Sequence, residues 1–350
     1  MTMPVADGAY ARSADRLGYI RFLPATHHSD RVHVEWFHFV IHAGELDVLV
    51  NFSLSAHGHA APVGHVVLLA RRRDGSPQPW GGDIHRVGAG DISVGTGRIR
   101  LEMGDASLSF DGAFRARARC RRAPLAVDLR IVPQSFACLA HHLSPGDGEG
   151  FHWVVTPRLV ASGVVHWDGR DYPIDHAPAY HDHNWGAFAR DDFVWDWTCS
   201  VATGERDPWN VVLVRILDRT RARVMVQGLL VWEAGLRQRG FRGDAISVVP
   251  EGFLRPEASL RVPRSLSLLV PGGATDVPAR LHIEAATDGD RLSGVLECSD
   301  VARILVPRER DLGTTVIHEI GGRLQLTGEI AGRKVDIDAP AFSELVECQR

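Results

Sequence analysis

Short apolar runs rich in Val, Ile, Leu and aromatic residues recur along the chain at strand spacing, each closed by Gly, Pro, Asp or Asn. They fall at residues 48–54, 66–70, 99–103 and 125–132, and the pattern resumes at 194–201, 211–217, 224–232, 281–286, 292–298, 314–320 and 323–330. No helical period of four turns or more interrupts them, so the pattern predicts an all-β protein with little helix. Thirty-five glycines and nineteen prolines supply turns for roughly twenty strands, too many for one small sandwich and a fair number for two antiparallel barrels in tandem. The least strand-like stretches are 144–150, rich in Pro, Gly and Asp, and the acidic, aromatic turn at 186–192. The second divides the chain into an N-terminal domain, 1–188, and a C-terminal domain, 189–350. Residues 76–97 read as a long, polar, Gly-rich loop, either a lid or an irregular connection.

One strand is legible residue by residue. Arg115, Arg117, Arg119 and Arg121 alternate with Ala116, Ala118 and Cys120, and a period of two puts the four guanidinium groups on one face. That face is either a solvated outer wall or a stripe for an anionic tail. The small residues opposite leave room inside a barrel, or let a second sheet pack close.

Composition narrows the function classes. A chain of 350 residues with 23% charged residues can bury a sizeable core, and its formal charge of -4 gives no general attraction to nucleic acid or to an anionic membrane surface. Lys334 is the only lysine, which confines Schiff-base chemistry to one position in a polar stretch. Cys120, Cys138, Cys199, Cys298 and Cys348 are scattered without a C-x-x-C pair, so neither a disulfide framework nor a zinc site is indicated, and a reducing cytoplasm is the expected compartment. Residues 1–25 lack a secretory pattern and no stretch of 18 apolar residues occurs. A soluble cytoplasmic protein without an integral membrane span is therefore expected, its oligomeric state left open.

The segment Tyr180-His181-Asp182-His183-Asn184-Trp185-Gly186 is the most distinctive in the chain, and it resembles the Y-x-D-H-x-W-G motif of the carotenoid 1,2-hydratase (hydroxyneurosporene synthase) superfamily. Upstream, His33-Val34-Glu35-Trp36-Phe37 is similar to that superfamily's opening strand. Trp195-Asp196-Trp197 resembles its W-x-W strand, and Gly321-Gly322-Arg323 through Phe342-Ser343-Glu344-Leu345 its closing hairpin and ending. The matches run in order from about residue 33 to residue 347. What the resemblance implies is two tandem lipocalin-like barrels with an apolar cavity, and an activity without an organic cofactor. Relatives hydrate or cyclise polyenes, AttH-like proteins belong to the group, and fungal members act as Diels-Alderases. His152 and Trp153 correspond to a His and a Trp that carotenoid hydratases separate by one residue; here they are adjacent, which sends them to opposite faces of a strand.

The residues themselves suggest a chemistry. In an extended segment, Tyr180, Asp182 and Asn184 point one way and His181, His183 and Trp185 the other. Hydrating or cyclising an unactivated alkene starts with a proton delivered to carbon, which requires an acid still protonated near neutral pH. Burial of Asp182 in an apolar hollow would supply one, with Tyr180 and Asn184 as its hydrogen-bonding partners. A charged neighbouring histidine would undercut it. The candidate catalytic set is Asp182, Tyr180, Glu35 and His152. Glu35 shares a face with Phe37, Phe39 and Ile41, with His33 as its expected partner. Trp36, Trp153, Asn184, Trp185, Trp195 and Trp197 are the candidate substrate-binding residues, aromatic faces being suited to stabilising a carbocation. Core packing is the competing reading for each tryptophan, and a carboxylate bonded to turn amides or to His183 is the competing reading for Asp182.

Eighteen histidines raise the question of a metal. His57 with His59, and His176 with His181, Asp182 and His183, could each present imidazoles on one strand face, and zinc or iron would need further ligands. No H-E-x-x-H spacing appears, and G-x-S-x-G, G-x-G-x-x-G and P-loop patterns are absent. No metal and no cofactor are expected. The leading expectation is an acid-assisted hydratase or cyclase acting on a hydrophobic small molecule. A non-catalytic lipocalin-like carrier is the runner-up, and a pericyclase needing only a shaped cavity is a third possibility.

Overall fold

Apolar and β-branched residues in period-two alternation favour pleated, half-buried backbone. Most of the chain takes that form in the computed structural model, which describes residues 8–22, 32–57, 60–95, 97–143, 151–187, 193–201, 208–254, 259–266, 277–307 and 313–349. The described residues hold one α-helix, α1 (Ala9–Gly18), and twenty-two strands.

The first twelve strands are β1 (Val32–Ala43), β2 (Leu46–His57), β3 (Val63–Arg72), β4 (Trp80–Val87), β5 (Ile92–Val94), β6 (Arg100–Met103), β7 (Ala106–Phe110), β8 (Phe114–Arg119), β9 (Leu125–Pro133), β10 (Cys138–Leu143), β11 (Phe151–Trp167) and β12 (Arg170–Ala187). They form one sheet in the order β4-β3-β2-β1-β12-β11-β9-β8-β7-β6-β5, with β10 on β11. The other ten are β13 (Val194–Ser200), β14 (Trp209–Leu217), β15 (Val224–Glu233), β16 (Leu236–Arg242), β17 (Ile246–Phe253), β18 (Ser259–Val262), β19 (Pro278–Thr287), β20 (Asp290–Pro307), β21 (Thr314–Ile330) and β22 (Arg333–Gln349). Their order is β16-β15-β14-β13-β22-β21-β20-β19-β17, and β18 lies parallel on β20. In each sheet the first strand pairs with the last, β1 with β12 and β13 with β22, and the sheet curls around its own core as a lipocalin-like barrel.

The chain divides into two compact units. One comprises Met1–Gly44, Val48–Ala70 and Gly82–Ala189; the other comprises Glu45–Asp47, Arg71–Gly81 and Arg190–Arg350. The boundary expected at 188/189 and the stretch 144–150 lie outside the described residues. Inside the first barrel are the buried rings of Phe37, Phe39 and Phe114. The core of the second is built on Trp209, Val211, Leu213, Phe241, Leu324 and Leu326.

Two expectations are corrected. Residues 76–97 contain β4 and β5 rather than a continuous loop. The glycines that signalled a loop allow close approach instead: Gly82 has φ +133°, and a Cβ there would stand 2.1 Å from the Leu68 carbonyl oxygen of neighbouring β3. The runs 314–320 and 323–330 are one strand, β21, whose Gly321 and Gly322 pair with Phe342 and Ala341. A Cβ on Gly322 would stand 2.4 Å from the Glu297 carbonyl oxygen of β20, so the glycine pair marks crowding, not a turn.

In β8 the arginine alternation is an outer wall. Arg115, Arg117 and Arg119 are exposed, Ala116 and Ala118 are buried, and Arg117 pairs with Asp128 of β9 at 2.9 Å. Arg121 lies just past the strand end. No helix among the described residues is long and apolar enough to cross a membrane.

Candidate functional site

Three adjacent strands carry the motif residues, β12 in the middle with β1 and β11 on either side. Residues directly opposite in an antiparallel ladder point to the same face. Asp182 lies opposite His38 on β1 and Val155 on β11, Asn184 opposite Trp36 and Trp153, and Tyr180 opposite Val40. One face therefore gathers Tyr180, Asp182, Asn184, Trp36, Trp153 and His38. The Tyr180 hydroxyl is 2.9 Å from Asp182 Oδ2, and Asn184 Nδ2 donates to Asp182 Oδ1 at 2.6 Å. All three side chains are buried, Asp182 with 5% of its surface exposed; Trp153 is buried and Trp36 partly so.

The opposite face of the same strands looks into the barrel. There Phe37 stacks on His183 with ring centroids 4.1 Å apart and Phe39 on His181 at 4.2 Å, while Phe114 of β8 meets His181 at 4.7 Å. Glu35 is wholly buried beside them. His183 Nε2 lies 2.6 Å from Glu35 Oε1, and the Arg21 backbone N–H donates to both carboxylate oxygens at 2.9 and 3.1 Å. The Arg21 guanidinium covers the Trp185 ring at 3.7 Å, and His152 stacks on Trp185 at 4.9 Å.

The four residues singled out as catalytic do not meet: Asp182 and Tyr180 share one face, Glu35 and His152 the other. The adjacency of His152 and Trp153 has the consequence expected of it, Trp153 going with Asn184 and His152 with Trp185. Trp185 is thereby separated from the Asp182 face. Glu35 is held by His183 across the ladder, whereas its expected partner His33 leans on the Phe22 ring at 5.5 Å.

Burial favours the neutral form of three histidines around the motif. Burial pushes His38 and His181 down to about 3, and it also lowers His183, outweighing the hydrogen bond and charge of Glu35. None of the three places a positive charge beside Asp182. Among the described residues no three or more His, Cys, Asp or Glu side chains converge on one point. His181 and His183 face the barrel interior, Asp182 faces away from it, and exposed His176 bonds Asp175 at 2.5 Å; His59 lies outside the described residues.

The second barrel contains an acidic group at the matching seam. Trp197 of β13 and Glu319 of β21 both lie directly opposite Glu344 of β22, so the three share a face with Trp195, two residues from Trp197. The Trp195 indole N–H donates to Glu344 Oε1. Glu319 is 2% exposed and Glu344 partly buried. Burial raises the Glu344 carboxyl above its ordinary range, with hydrogen bonds to Trp195 and Glu319 opposing the shift. A hydrogen bond between two carboxyls requires a proton on one of them.

Solved structures with this architecture include an AttH-type protein from Nitrosomonas europaea, at TM-score 0.63 and 17% identity over 100% of both chains. Kievitone hydratase from Nectria haematococca superposes with TM-score 0.60 at 10% identity, over 94% of this chain and 93% of that one. CghA with Sch210972 gives 0.51 at 13% identity, over 91% and 89%. The fold is the one these proteins share. The two-barrel architecture implied by the carotenoid-hydratase resemblance is thus the one found, and at these identities the likeness establishes the fold alone. No family model and no curated protein matches the sequence.

Within the two-barrel fold, the sequence reading missed Glu319, Glu344 and His38 as neighbours of the candidate residues. Glu319 had a usable signal: it alternates with Thr315 and Ile317 inside an apolar run, and a carboxylate in such a run is buried and paired. Glu344 was visible only as part of the terminal resemblance. The pairing of the two needs the β21–β22 register, which no local pattern gives.

Proposed function

We propose that the protein is a cofactor-free, acid-assisted hydratase or cyclase acting on an apolar isoprenoid or polyene small molecule, with Asp182 as the proton donor. The observation that carries this reading is a carboxyl group withdrawn from water, bonded at both oxygens by Tyr180 and Asn184 and flanked by neutral imidazoles. Burial disfavours the carboxylate, against the opposing pull of the hydrogen bonds donated by Tyr180 and Asn184. In the neutral acid, Asn184 Nδ2 donates to Oδ1, and the Oδ2 hydroxyl donates to the Tyr180 oxygen, whose own hydrogen rotates away. When an alkene carbon approaches Oδ2, the O–H bond breaks and a C–H bond forms, leaving a carboxylate that now accepts the Tyr180 hydroxyl and a carbocation that Trp36 and Trp153 can face. Water capture followed by return of its proton to Asp182 yields a hydrated product. Capture by an internal alkene followed by loss of a carbon-bound proton to Asp182 yields an isomer.

Kievitone hydratase, among the proteins sharing the fold, acts by hydration as its name states, and the proposal extends that class of reaction to this chain. The test is incubation of the purified protein with prenyl and polyene candidates followed by mass spectrometry. A gain of one water supports hydration and an isomer of unchanged mass supports cyclisation. Unaltered ligand that co-purifies points to a carrier.

A second reading, favoured by the raised Glu344 carboxyl and its bond to Glu319, makes that pair the acid. Asp182→Asn and Glu344→Gln separate the two: the acid's own variant loses turnover by about 10²–10⁴-fold, and the other keeps most of it.

A further inference from the structure

The unit built on the second barrel includes the segments Glu45–Asp47 and Arg71–Gly81, and it holds a cavity of about 340 Å³ bordered by Arg72, Arg73, Arg323, Ser76 and Ser299. Its volume is at the lower end of small-molecule sites. We propose that this cavity binds a phosphate group, either as free phosphate or as a small phosphomonoester.

The cavity rests on a fixed floor. The Arg71 guanidinium donates through Nε and Nη2 to the two oxygens of Asp300 at 2.6 and 2.7 Å, and through Nη1 to Asp47 at 2.7 Å. The Trp80 indole adds a third donor to Asp300 at 2.6 Å. Burial alone would lower Arg71, but the bonds and charges of Asp300 and Asp47 outweigh it and keep the group charged. Asp300 therefore does not confront an incoming anion with an uncompensated charge, because both its oxygens are occupied by donors.

Around that floor stand Arg72, Arg73 and Arg323 with Ser76 and Ser299. The Arg72 backbone amide bonds the Pro79 carbonyl at 2.9 Å and the Arg73 amide the Glu45 carbonyl at 2.8 Å, so both guanidinium groups spring from anchored backbone. Arg73 stands 3.6 Å from Asp47, and Arg323 pairs edge-on through Nε with Asp338 at 2.5 Å. A planar guanidinium with five N–H groups can serve more than one acceptor at once, and its fork matches phosphate oxygens.

The backbone also opens space here. The ladder between β20 and β21 slips by one residue between Cys298 and Asp300, making Ser299 the extra residue of a bulge, and Gly322 beside it has no side chain to fill the cavity. Bulges re-aim side chains next to binding sites. Three arginines and two serines border this small hollow, and arginine forks suit a dianion with several acceptor oxygens better than a monoanionic carboxylate.

The test is calorimetric titration of the full chain with sodium phosphate, ionic strength held constant with chloride, and a parallel arm with glycerol phosphate. Saturable one-site binding is expected, weakened about tenfold or more by Ser299→Asp and by Arg72→Gln combined with Arg73→Gln. Tighter binding in the glycerol phosphate arm identifies an ester as the ligand, and tighter binding of inorganic phosphate identifies the free ion. Ser299 is exposed and its replacement removes none of the ion pairs, so that variant decides the matter if the arginine variant fails to fold. Absence of saturable binding, or binding unaltered by Ser299→Asp, overturns the proposal.

Discussion

Asp182→Asn should leave a folded protein that binds its apolar substrate with near wild-type affinity and turns it over about 10²–10⁴-fold more slowly. The amide is nearly isosteric with the acid and can still bond Tyr180 and Asn184, so the local packing is kept while the transferable proton is lost. Single-turnover rates and equilibrium binding, measured on the same preparation, read the two effects separately. Tyr180→Phe removes one bond that positions the acid without removing the proton, and its loss should be smaller. A pericyclase, which needs only a shaped cavity, would keep most of its rate in both variants. Loss of binding in step with loss of rate would instead mean that Asp182 serves the local structure and not the chemistry.

The second large effect is acid lability. His38 and His181 titrate near 3 in the folded chain against an ordinary value of 6.5, so the unfolded state takes up protons first as the pH falls. Stability from these two groups is therefore complete above about pH 6.5 and drains away as the pH drops toward 3. By pH 5 each should cost about 2 kcal/mol, and the pair about 4 kcal/mol, a large part of a typical domain's net stability. His183, lowered in the same direction, adds to the trend. Urea denaturation at pH 7, 6 and 5 should show the midpoint falling steadily; a midpoint independent of pH over that range would mean that these imidazoles are reached by water.

How much of this was legible beforehand depended on distance along the chain. Period two and the Gly and Pro punctuation predicted strands because both signals are local, and β8 could be assigned face by face from its arginines. The same locality misled at residues 76–97, where Gly82 serves a neighbouring strand and not a turn, and at Gly321 and Gly322, where the Arg71 side chain crowds the first and the β20 backbone the second inside β21. The site was half legible for the same reason. Tyr180, Asp182 and Asn184 belong together by alternation alone, and they are hydrogen-bonded as alternation implies. Glu35, a candidate because it shares an apolar face with Phe37, Phe39 and Ile41, and His152, drawn from the resemblance, both lie on the barrel-interior face. The Glu319–Glu344 pair and the tie between Arg71 and Asp300, 229 residues apart, come from register between distant segments, which the sequence does not encode locally.

The proposed chemistry depends on the charge of one carboxyl, that of Asp182, and infrared difference spectroscopy reads it without a known substrate. Spectra of the wild-type protein and of Asp182→Asn are recorded at pH 7 in H2O and D2O. The wild-type-minus-variant difference should contain a protonated-carboxyl C=O stretch, that of Asp182, which shifts on deuteration. A difference spectrum containing carboxylate bands alone would contradict it, because Asp182 would then be ionised and unable to deliver a proton to carbon.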